Sequence, residues 1–231
     1  MSHDKVILIT GASSGIGAAT ARLAVEAGYR VALAARSTDK LETLVASLGE
    51  ERALALSCDV TSVEDQHRAV EQTLARFGRL DGLFANAGMG GTPGGFSGAD
   101  AEVWKSMILT NIYGVGLSIQ AALPALRKSH GHVLLTGSAA GRTTIAGSMY
   151  SATKWAVTGI GHNLREELRG SGIRVTLIEP GMVDTPFFDS PPEQVLEDQD
   201  IANAVLYALS QPERVDVNEI LIRPTPPRDE T

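Results

Sequence analysis

Short apolar runs rich in β-branched residues alternate along the chain with longer segments of helical period, and this alternation limits the fold more than any other feature. The run Val6–Thr10 predicts a first strand, and the glycine-rich turn after it opens a helix predicted over Ile16–Ala27. The same order recurs until Arg223. Strands separated by helices predict an α/β fold with a parallel sheet, right-handed crossovers and helices on both faces.

The periodic segments set the expected bounds of the elements. Strands are predicted over Val6–Thr10, Arg30–Ala35, Ala53–Ser57, Leu80–Asn86, His132–Thr136, Arg174–Ile178 and Glu219–Arg223. Helices are predicted over Ile16–Ala27, Thr38–Leu48, Ser62–Phe77, Glu102–Arg127, Tyr150–Arg169 and Asp200–Ser210, and Ser62 and Asp200 are expected to be the cap residues of their helices. An interruption of the long helix is expected near Asn111. The segment Gly88–Gly98 is predicted to be a loop. Ligands of such sheets bind beyond the carboxyl ends of the strands, so functional residues are expected there.

The turn after the first strand carries closely spaced glycines, in the order Gly11-Ala12-Ser13-Ser14-Gly15-Ile16-Gly17. Glycine permits a tight turn and lets the backbone approach a pyrophosphate, and the helix N-terminus then offers N–H groups and the positive end of its dipole. A tight turn without a ligand is the alternative. The position of the turn at the first strand-to-helix junction favours a dinucleotide site.

The end of the second strand bears on the cofactor. Where NAD-binding folds place an acid for the ribose 2′-hydroxyl, this chain has Ala35 followed by Arg36. A cation there suits the 2′-phosphate of NADP, with further donors from Ser13, Ser14 and Ser37, so NADP is favoured over NAD. A solvated Arg36 is the alternative, and Asp59 after the third strand predicts either an adenine contact or a turn cap.

Tyr150 and Lys154 lie four residues apart in a predicted helix, which places them on one face. A free phenol titrates near ~10, and a cation held close favours the phenolate. A pKa near ~7 requires about 4 kcal/mol of differential interaction, which a lysine and a cationic nicotinamide together could supply. Tyr150 would then serve as a general acid/base. A tyrosine and a lysine at this spacing are common by chance, so the pair alone does not identify a site.

Three further features fall at the same edge of the sheet. Ser138 follows the fifth strand, Asn86-Ala87-Gly88 ends the fourth, and Asn111 sits inside a predicted helix, where asparagine is unfavourable unless its amide is used. With Gly11-x-x-x-Gly15-Ile16-Gly17, Tyr150-x-x-x-Lys154 and Pro180-Gly181, the chain resembles the short-chain dehydrogenase/reductase family over essentially its whole length.

The resemblance implies a single Rossmann domain over 1–223 with seven strands in the order 3-2-1-4-5-6-7, a short substrate lid around 186–199 and a loose tail over 224–231. It implies that Tyr150 exchanges a proton with the substrate oxygen, that Ser138 orients that oxygen, and that Lys154 holds the nicotinamide ribose and lowers the pKa of the tyrosine. Asn111 would hold a water that links Lys154 to solvent. The cofactor contacts that it implies are Gly11, Ser13, Ser14, Gly15, Ile16, Gly17, Arg36, Ser37, Asp59, Val60, Asn86, Ala87, Gly88, Tyr150, Lys154, Pro180, Gly181, Val183 and Thr185.

Substrate contacts are expected beside the catalytic serine, before Tyr150 and in the shortened lid. Arg142 could pair with a substrate carboxylate, as in a hydroxy acid, or be an ordinary surface arginine. Phe187 and Phe188 could be lid anchors or ordinary packing residues. The full predicted set is Ala140, Arg142, Ile145, Met182, Phe187 and Phe188.

Composition narrows the function classes. The net charge of −7 and a pI of about 5.2 argue against nucleic acid, because phosphate backbones require basic patches. A single cysteine, Cys58, excludes an internal disulfide and fits a reducing compartment, so a soluble cytoplasmic protein without a membrane span is expected. The pair His130 and His132 lacks nearby acids or cysteines, so no metal site is predicted.

The function predicted is an NADP(H)-linked oxidoreductase that interconverts a carbonyl and a secondary alcohol on a small substrate. The resemblance also implies a homodimer or homotetramer through the helices over Glu102–Arg127 and Tyr150–Arg169. A non-catalytic NADP-binding scaffold is the alternative from another class, and it would expect at least one of the four catalytic residues to be lost. An epimerase or dehydratase is disfavoured, since the chain has no room for an added substrate domain.

Overall fold

A parallel sheet forms the centre of the computed structural model, which describes residues 4–187 and 195–226. Its strands are β1 (Val6–Thr10), β2 (Arg30–Ala35), β3 (Ala53–Ser57), β4 (Gly82–Ala85), β5 (His132–Thr136), β6 (Arg174–Pro180) and β9 (Glu219–Ile222), while β7 (Val183–Asp184) and β8 (Leu196–Glu197) form a separate short pair. Within the described residues the sheet has seven strands in the order β3-β2-β1-β4-β5-β6-β9. This confirms the predicted fold and strand order, because β9 is the seventh strand of the sheet.

Helices cover both faces of the sheet. They are α1 (Gly15–Glu26), α2 (Thr38–Leu48), α3 (Val63–Phe77), α4 (Gly95–Gly98), α5 (Ala101–Ile108), α6 (Gly114–Ser129), α7 (Met149–Glu167) and α8 (Asp198–Ser210), with a π-helical turn at Leu109–Tyr113 and a 3₁₀ turn at Ala139–Gly141. Successive strand residues point to opposite faces, so Leu8 and Leu83 pack on α3, α6 and α7, whereas Ile7 and Phe84 pack on α1, α2 and α8. Burial on both faces explains why the strands are continuously apolar.

Several bounds differ from the prediction. The strand β6 continues through Glu179 and Pro180, which pair with Leu221 and Ile222, so the predicted end at Ile178 is two residues early. The strand β4 is shorter than predicted, and a short helix, α4, lies inside the predicted loop.

The prediction that Asp200 caps the last helix is wrong. Glu197 is the N-cap residue, and Asp200 is the third helical residue, whose carboxylate accepts from the Glu197 N–H at 2.9 Å in a capping box. Neighbouring acids make the cap ambiguous in the sequence. The end of the predicted lid, 196–199, therefore belongs to β8 and α8, whereas residues 188–194 of the lid and 227–231 of the tail lie outside the described residues.

The expected interruption near Asn111 is confirmed, since the helical run Ala101–Ser129 passes through the π-helical turn that contains this residue. Among the described helices this run alone is long and apolar enough to cross a membrane by length and composition, although none was predicted. Half of its most apolar window is buried in the fold. Core helices of globular proteins pass the same test, so the run is weak evidence for a membrane span.

Candidate active site

A cleft of about 510 Å³ opens at the carboxyl ends of the strands, where ligands were predicted to bind. The size is typical of small-molecule and cofactor sites. The predicted residues that line it are Gly11, Ser13, Ser14, Gly15, Ile16, Arg36, Ser37, Asp59, Val60, Asn86, Ala87, Gly88, Ser138, Tyr150, Lys154, Pro180, Gly181, Val183, Thr185 and Phe187. Those that do not line it are Gly17, Asn111, Ala140, Arg142, Ile145 and Met182, and Phe188 lies outside the described residues.

The glycine turn has the geometry that the sequence predicts. Gly11 and Gly15 have φ of +64° and +51°, the left-handed region that other residues rarely adopt. A Cβ at Gly15 would lie 3.0 Å from Thr185, and a Cβ at Gly17 would lie 2.4 Å from the Gly11 carbonyl oxygen. Gly17 therefore acts by letting α1 pack against the turn, while Gly11 and Gly15 shape the wall of the cleft.

The N-terminus of α1 suits an anion. Ser14 is its N-cap residue, yet the Ser14 side chain makes no capping hydrogen bond in the described structure. The first turn of α1 contains no acidic residue that would offset the positive end of the helix dipole. Backbone N–H groups and the Ser14 hydroxyl therefore meet at a positive helix end beside the cleft, an arrangement that fits a pyrophosphate.

Two charged residues mark the end of the cleft that lies beyond β2 and β3. Arg36 is exposed directly after β2. Asp59, after β3, accepts from the Thr61 N–H at 2.9 Å and from the Thr61 hydroxyl at 2.8 Å through the same oxygen. The turn-cap alternative for Asp59 is thus realised, and the adenine contact stays a prediction.

A polar network fixes the middle of the cleft. The Thr10 hydroxyl accepts from the N–H groups of Asn86 and Ala87 at 3.0 and 3.1 Å, and the Asn86 amide donates to the Thr10 carbonyl at 3.1 Å. The Thr136 hydroxyl donates to Asn86 Oδ1 at 3.0 Å. The network joins the ends of β1, β4 and β5. Sequence reasoning missed Thr10 and Thr136, although a threonine at the last position of a parallel strand could have indicated them.

Tyr150, Ser138 and Lys154 meet at the other end of the cleft. Ser148 caps α7 by accepting from the Ser151 N–H at 3.0 Å, which places Tyr150 in the first turn and Lys154 one turn later. Lys154 is buried, donates to the Thr136 carbonyl at 2.8 Å and lies 5.7 Å from the centre of the Tyr150 ring. The predicted grouping of these three residues at one strand edge is confirmed.

Asn111 lies behind this group and is 1 % exposed. Its Oδ1 accepts from the Met89 N–H at 2.8 Å, and its amide donates to the Met89 carbonyl and to the Thr153 hydroxyl, both at 3.0 Å. The π-helical turn presents the side chain to these partners, and π-turns are frequent at functional sites. Asn111 thereby ties the loop after β4 to α7, and the water-holding role stays a prediction.

Burial controls the acidity of Tyr150 and Lys154. It raises the pKa of the Tyr150 phenol above its ordinary value, and the hydrogen bond with Ser138 opposes this rise. The same desolvation lowers the pKa of Lys154 from 10.5 to about 8. The lowering of the Tyr150 pKa by Lys154 together with a cationic nicotinamide stays a prediction; the Lys154 ammonium group lies 5.7 Å from the ring centre and donates to the Thr136 carbonyl.

Phe187 forms the wall beside Tyr150, with ring centres 5.8 Å apart in an edge-on arrangement. A Cβ at Gly90 would lie 3.1 Å from the Phe187 ring, so glycine at position 90 makes room for it. The other predicted contacts are less direct. Ala140 donates its N–H to Ser138 at 3.0 Å and so supports the serine, whereas Ile145 and Met182 are both 45 % exposed outside the cleft lining.

Arg142 does not serve the role that was predicted for it. Its Nε donates to both carboxylate oxygens of Glu179 at 2.8 Å, and its Nη2 forms an ion pair with Glu219. Glu179 is completely buried and also accepts from the Thr158 hydroxyl at 3.1 Å. The arginine neutralises two carboxylates of the fold, so the prediction of a substrate carboxylate partner is corrected.

Neither cysteine nor metal chemistry is indicated by the described residues. Burial raises the pKa of the Cys58 thiol to about 11, and Asp65 and Asp59 add to this rise, which leaves the group protonated at neutral pH. Among the described residues no cluster of three or more histidine, cysteine or acidic side chains is placed to hold a metal ion.

Comparison with known proteins identifies the class. A family model described as short chain dehydrogenase matches residues 5–195, and the chain belongs to this family. An uncharacterized oxidoreductase of Staphylococcus aureus (strain MRSA252) is 41 % identical over 226 residues, which covers 96 % of this chain and 97 % of the relative. The chain is therefore an NAD(P)-dependent oxidoreductase acting on CH–OH or C=O groups.

Solved structures support the same class. An alcohol dehydrogenase from Thermococcus sibiricus, complexed with 5-hydroxy-NADP, superposes with a TM-score of 0.90 at 33 % identity, covering 98 % of this chain and 99 % of that one. A 3-ketoacyl-(acyl-carrier-protein) reductase from Brucella melitensis, complexed with NADH, superposes with a TM-score of 0.89 at 27 % identity, covering 96 % and 98 %. Both complexes contain a nicotinamide cofactor or a derivative of one: the first is an NADP derivative, which carries the 2′-phosphate, and the second is NADH, which lacks it.

Proposed function

We propose that the chain is an NADP(H)-dependent reductase or dehydrogenase that interconverts a carbonyl and a secondary alcohol, with Tyr150 as general acid/base. The observation that carries the proposal is the placement of Tyr150, Ser138 and buried Lys154 at the end of the cleft opposite Arg36. The acid/base group and the cation that suits a 2′-phosphate then lie at the two ends of one elongated ligand.

The cofactor would lie across the carboxyl ends of the strands. Its pyrophosphate would bind the turn from Gly11 to Gly15 and the N-terminus of α1, and its 2′-phosphate would pair with Arg36. The T. sibiricus dehydrogenase bound to an NADP derivative supports this choice, while the B. melitensis reductase is complexed with NADH, the form without the phosphate. When bound, the nicotinamide supplies or accepts a hydride.

Proton transfer is assigned to the chain's own residues. In reduction, Tyr150 Oη would donate its proton to the substrate oxygen, and the Ser138 hydroxyl would hold that oxygen in position. Because burial raises the pKa of the tyrosine, the phenol is protonated and ready to donate at neutral pH. Lys154 would supply the nearby positive charge that stabilises the phenolate formed by the transfer, and Asn111 would support its reprotonation from solvent.

Replacing Tyr150 by phenylalanine tests this assignment. Y150F should lower turnover by at least about 10³-fold, since it removes the transferred proton, and should bind NADPH nearly as the wild type does. Tyr207 is 56 % exposed on α8, so Y207F is a matched control that should keep full activity. Undiminished turnover by Y150F would refute the mechanism, and NADPH binding by a wild type that oxidises and reduces nothing would support the scaffold alternative.

We also propose that the chain forms a homodimer or homotetramer. Large apolar side chains are exposed at Tyr113 in the π-helical turn and at Trp155 on α7. These are the two helical regions through which the resemblance implies pairing. Light scattering coupled to size-exclusion chromatography should give a multiple of 24.3 kDa, and a monomer at micromolar concentration would refute the proposal.

A further inference from the structure

The wall around the reacting group is uncharged. Phe187 and Pro186 form one side of it, and Gly91 lies against Tyr150, with a hypothetical Cβ 3.4 Å from the tyrosine Cβ. Met89, whose backbone is held by Asn111, also lines the cleft. A ligand group seated beside Tyr150 therefore meets an aromatic ring, a proline, a methionine and glycine backbone.

The charges of the cleft lie elsewhere. Among the described residues that line it, the charged side chains are Arg36, Asp59 and Lys154. Arg36 and Asp59 follow β2 and β3, and β1 and β4 separate β2 from the catalytic strand β5. The distance from β2 to β5 across the sheet is three strand spacings, or about 14 Å. Lys154 is buried and donates to the Thr136 carbonyl, so it does not face a substituent of the substrate.

Two of the described cations near the catalytic end, Arg142 and Lys105, have partners already, and a third, Arg223, has its Cγ 3.4 Å from a Cβ placed on Gly181 at the margin of the cleft. Arg142 is paired with Glu179 and Glu219. Lys105 on α5 lies 3.6 Å from Glu102 with an exposed side chain. The sequence from Phe188 to Gln194 contains no lysine, arginine or histidine, so it supplies no cation in any conformation, and it carries two acids.

Among the described residues that line the cleft, none beside Tyr150 would therefore supply a facing cation for a charged substrate group. A carboxylate moved from water into an apolar site without a partner is strongly disfavoured, and the penalty amounts to several kcal/mol after relaxation. Thioesters of coenzyme A or of acyl carrier proteins present phosphates or an acidic surface, and among the described residues that line the cleft only Arg36 and Lys154 are cationic, the first at the cofactor end and the second buried. The site thus disfavours anionic substrates, while burial against Phe187 favours the binding of a neutral apolar group.

We propose that the substrate is a neutral carbonyl compound with apolar substituents, a free ketone or aldehyde, and neither a keto acid nor a carrier-bound thioester. The inference rests on the proposed function and deepens it by naming the substrate class. It also assigns the chain to the chemistry named for the alcohol dehydrogenase neighbour, and not to that named for the ketoacyl-carrier reductase neighbour.

A matched substrate series tests the proposal on the full wild-type chain with NADPH. Ethyl acetoacetate, acetoacetate and acetoacetyl-coenzyme A share one reacting ketone and differ in charge. The ester should exceed the free acid and the thioester in kcat/KM by at least about 100-fold, since an unpaired buried charge costs several kcal/mol. Equal or better use of acetoacetate or of the thioester overturns the inference and leaves the oxidoreductase function standing. No turnover of any neutral, acidic or thioester carbonyl overturns the proposed function together with the inference.

A variant pair locates the selectivity. F187R places a cation beside Tyr150 and should reduce the ester-to-acid ratio of kcat/KM at least about tenfold, because it offers the carboxylate a partner. F187Q is the uncharged polar control, and it should keep that ratio within about threefold even if both values fall. An unchanged ratio in F187R, with NADPH binding intact, would show that Phe187 does not face the substrate and would overturn the assignment of this wall.

Discussion

The two ends of the cleft are built in different ways. Beyond β1 and β2 the cleft consists mainly of backbone, with left-handed glycines, a helix N-terminus and the exposed Arg36. Beyond β5 and β6 it consists of buried side chains held by hydrogen bonds, with Ser138 and Lys154 8 % and 5 % exposed and Asn111 buried behind them. Backbone N–H groups suit an anionic ligand, whereas buried side chains held by hydrogen bonds can fix reacting groups within the tolerances that proton transfer requires.

The comparison also separates recognition by charge from recognition by shape. The proposed dinucleotide end exposes the Arg36 guanidinium, whereas Arg142, near the proposed catalytic end, is paired with two carboxylates of the fold. Changes at the first end should therefore alter which cofactor binds, while changes at the second should alter turnover or folding.

After Tyr150, the largest effect is expected at Ser138. S138A removes the hydroxyl that meets the Tyr150 phenol and should lower kcat by roughly 10²–10³-fold, the range for a donor that holds the reacting oxygen, with NADPH affinity nearly unchanged. Stopped-flow turnover and fluorescence titration with NADPH measure the two quantities. Ser210 at the end of α8 provides the control, and S210A should behave as the wild type. A large loss of NADPH affinity in S138A would erase the proposed division between the ends of the cleft.

A pair of arginine variants contrasts the ends in stability. R142M leaves the buried Glu179 without its main partner and should lower the free energy of unfolding by about 3–5 kcal/mol. R36M, at an exposed position, should change it by less than about 0.5 kcal/mol. Denaturant unfolding followed by circular dichroism gives both values. Similar stabilities for the two variants would contradict a structural role for Arg142.

Cofactor preference should depend on Arg36. R36D removes the cation and adds an acid that repels the 2′-phosphate and accepts from a 2′-hydroxyl, so the NADPH-to-NADH ratio of kcat/KM should fall by about 10–100-fold. R52D, at a position outside the cleft lining, controls for the change in net charge. If R36D keeps the wild-type ratio, the case for NADP loses its main support.

The effect expected to be smallest at neutral pH concerns stability at the proposed catalytic end, because it develops only above pH 8. The folded pKa of Lys154 is about 8, below its value of 10.5 in the unfolded chain, so the unfolded state binds more protons between these values. Stability should therefore rise with pH from 8 to 10.5, by at most about 1.4 kcal/mol per unit. K154M should lose this contribution, whereas K105M, at an exposed position, should retain it. Parallel slopes for K154M and the wild type would mean that the lysine is not desolvated.

Much of the fold and of the site followed from short-range patterns. Strand ends are visible in the sequence, and parallel strands bring their carboxyl ends to one edge, so the sequence alone was enough to place Ser138 and Tyr150 together. Asn111 was also indicated by its position inside the long predicted helix, because an asparagine there is unfavourable unless its amide has a hydrogen-bond partner.

Partners distant in the chain could not be predicted in this way. Arg142 is 37 residues from Glu179, and nothing local marks Glu179 as its partner rather than a substrate carboxylate. The pKa of Tyr150 depends on how deeply α7 packs, which is a property of the assembled fold. Aspartate is the better N-cap residue by propensity, so the sequence favours Asp200 over Glu197, and the pairing of β7 with β8 accompanies the earlier start of the helix.

The wide turn at Leu109–Tyr113 has a consequence for how the chain can vary. Each residue advances an α-helix by about 100°, so the extra residue in this turn rotates everything after it relative to α5. Removing one residue there would restore a uniform helix and would turn either Asn111 or the apolar face of α6 away from its partners. The contacts of Asn111 therefore depend on the length of this turn as well as on its residue types. Point substitutions in the turn can weaken these contacts by different amounts, whereas a single deletion would separate the loop after β4 from α7.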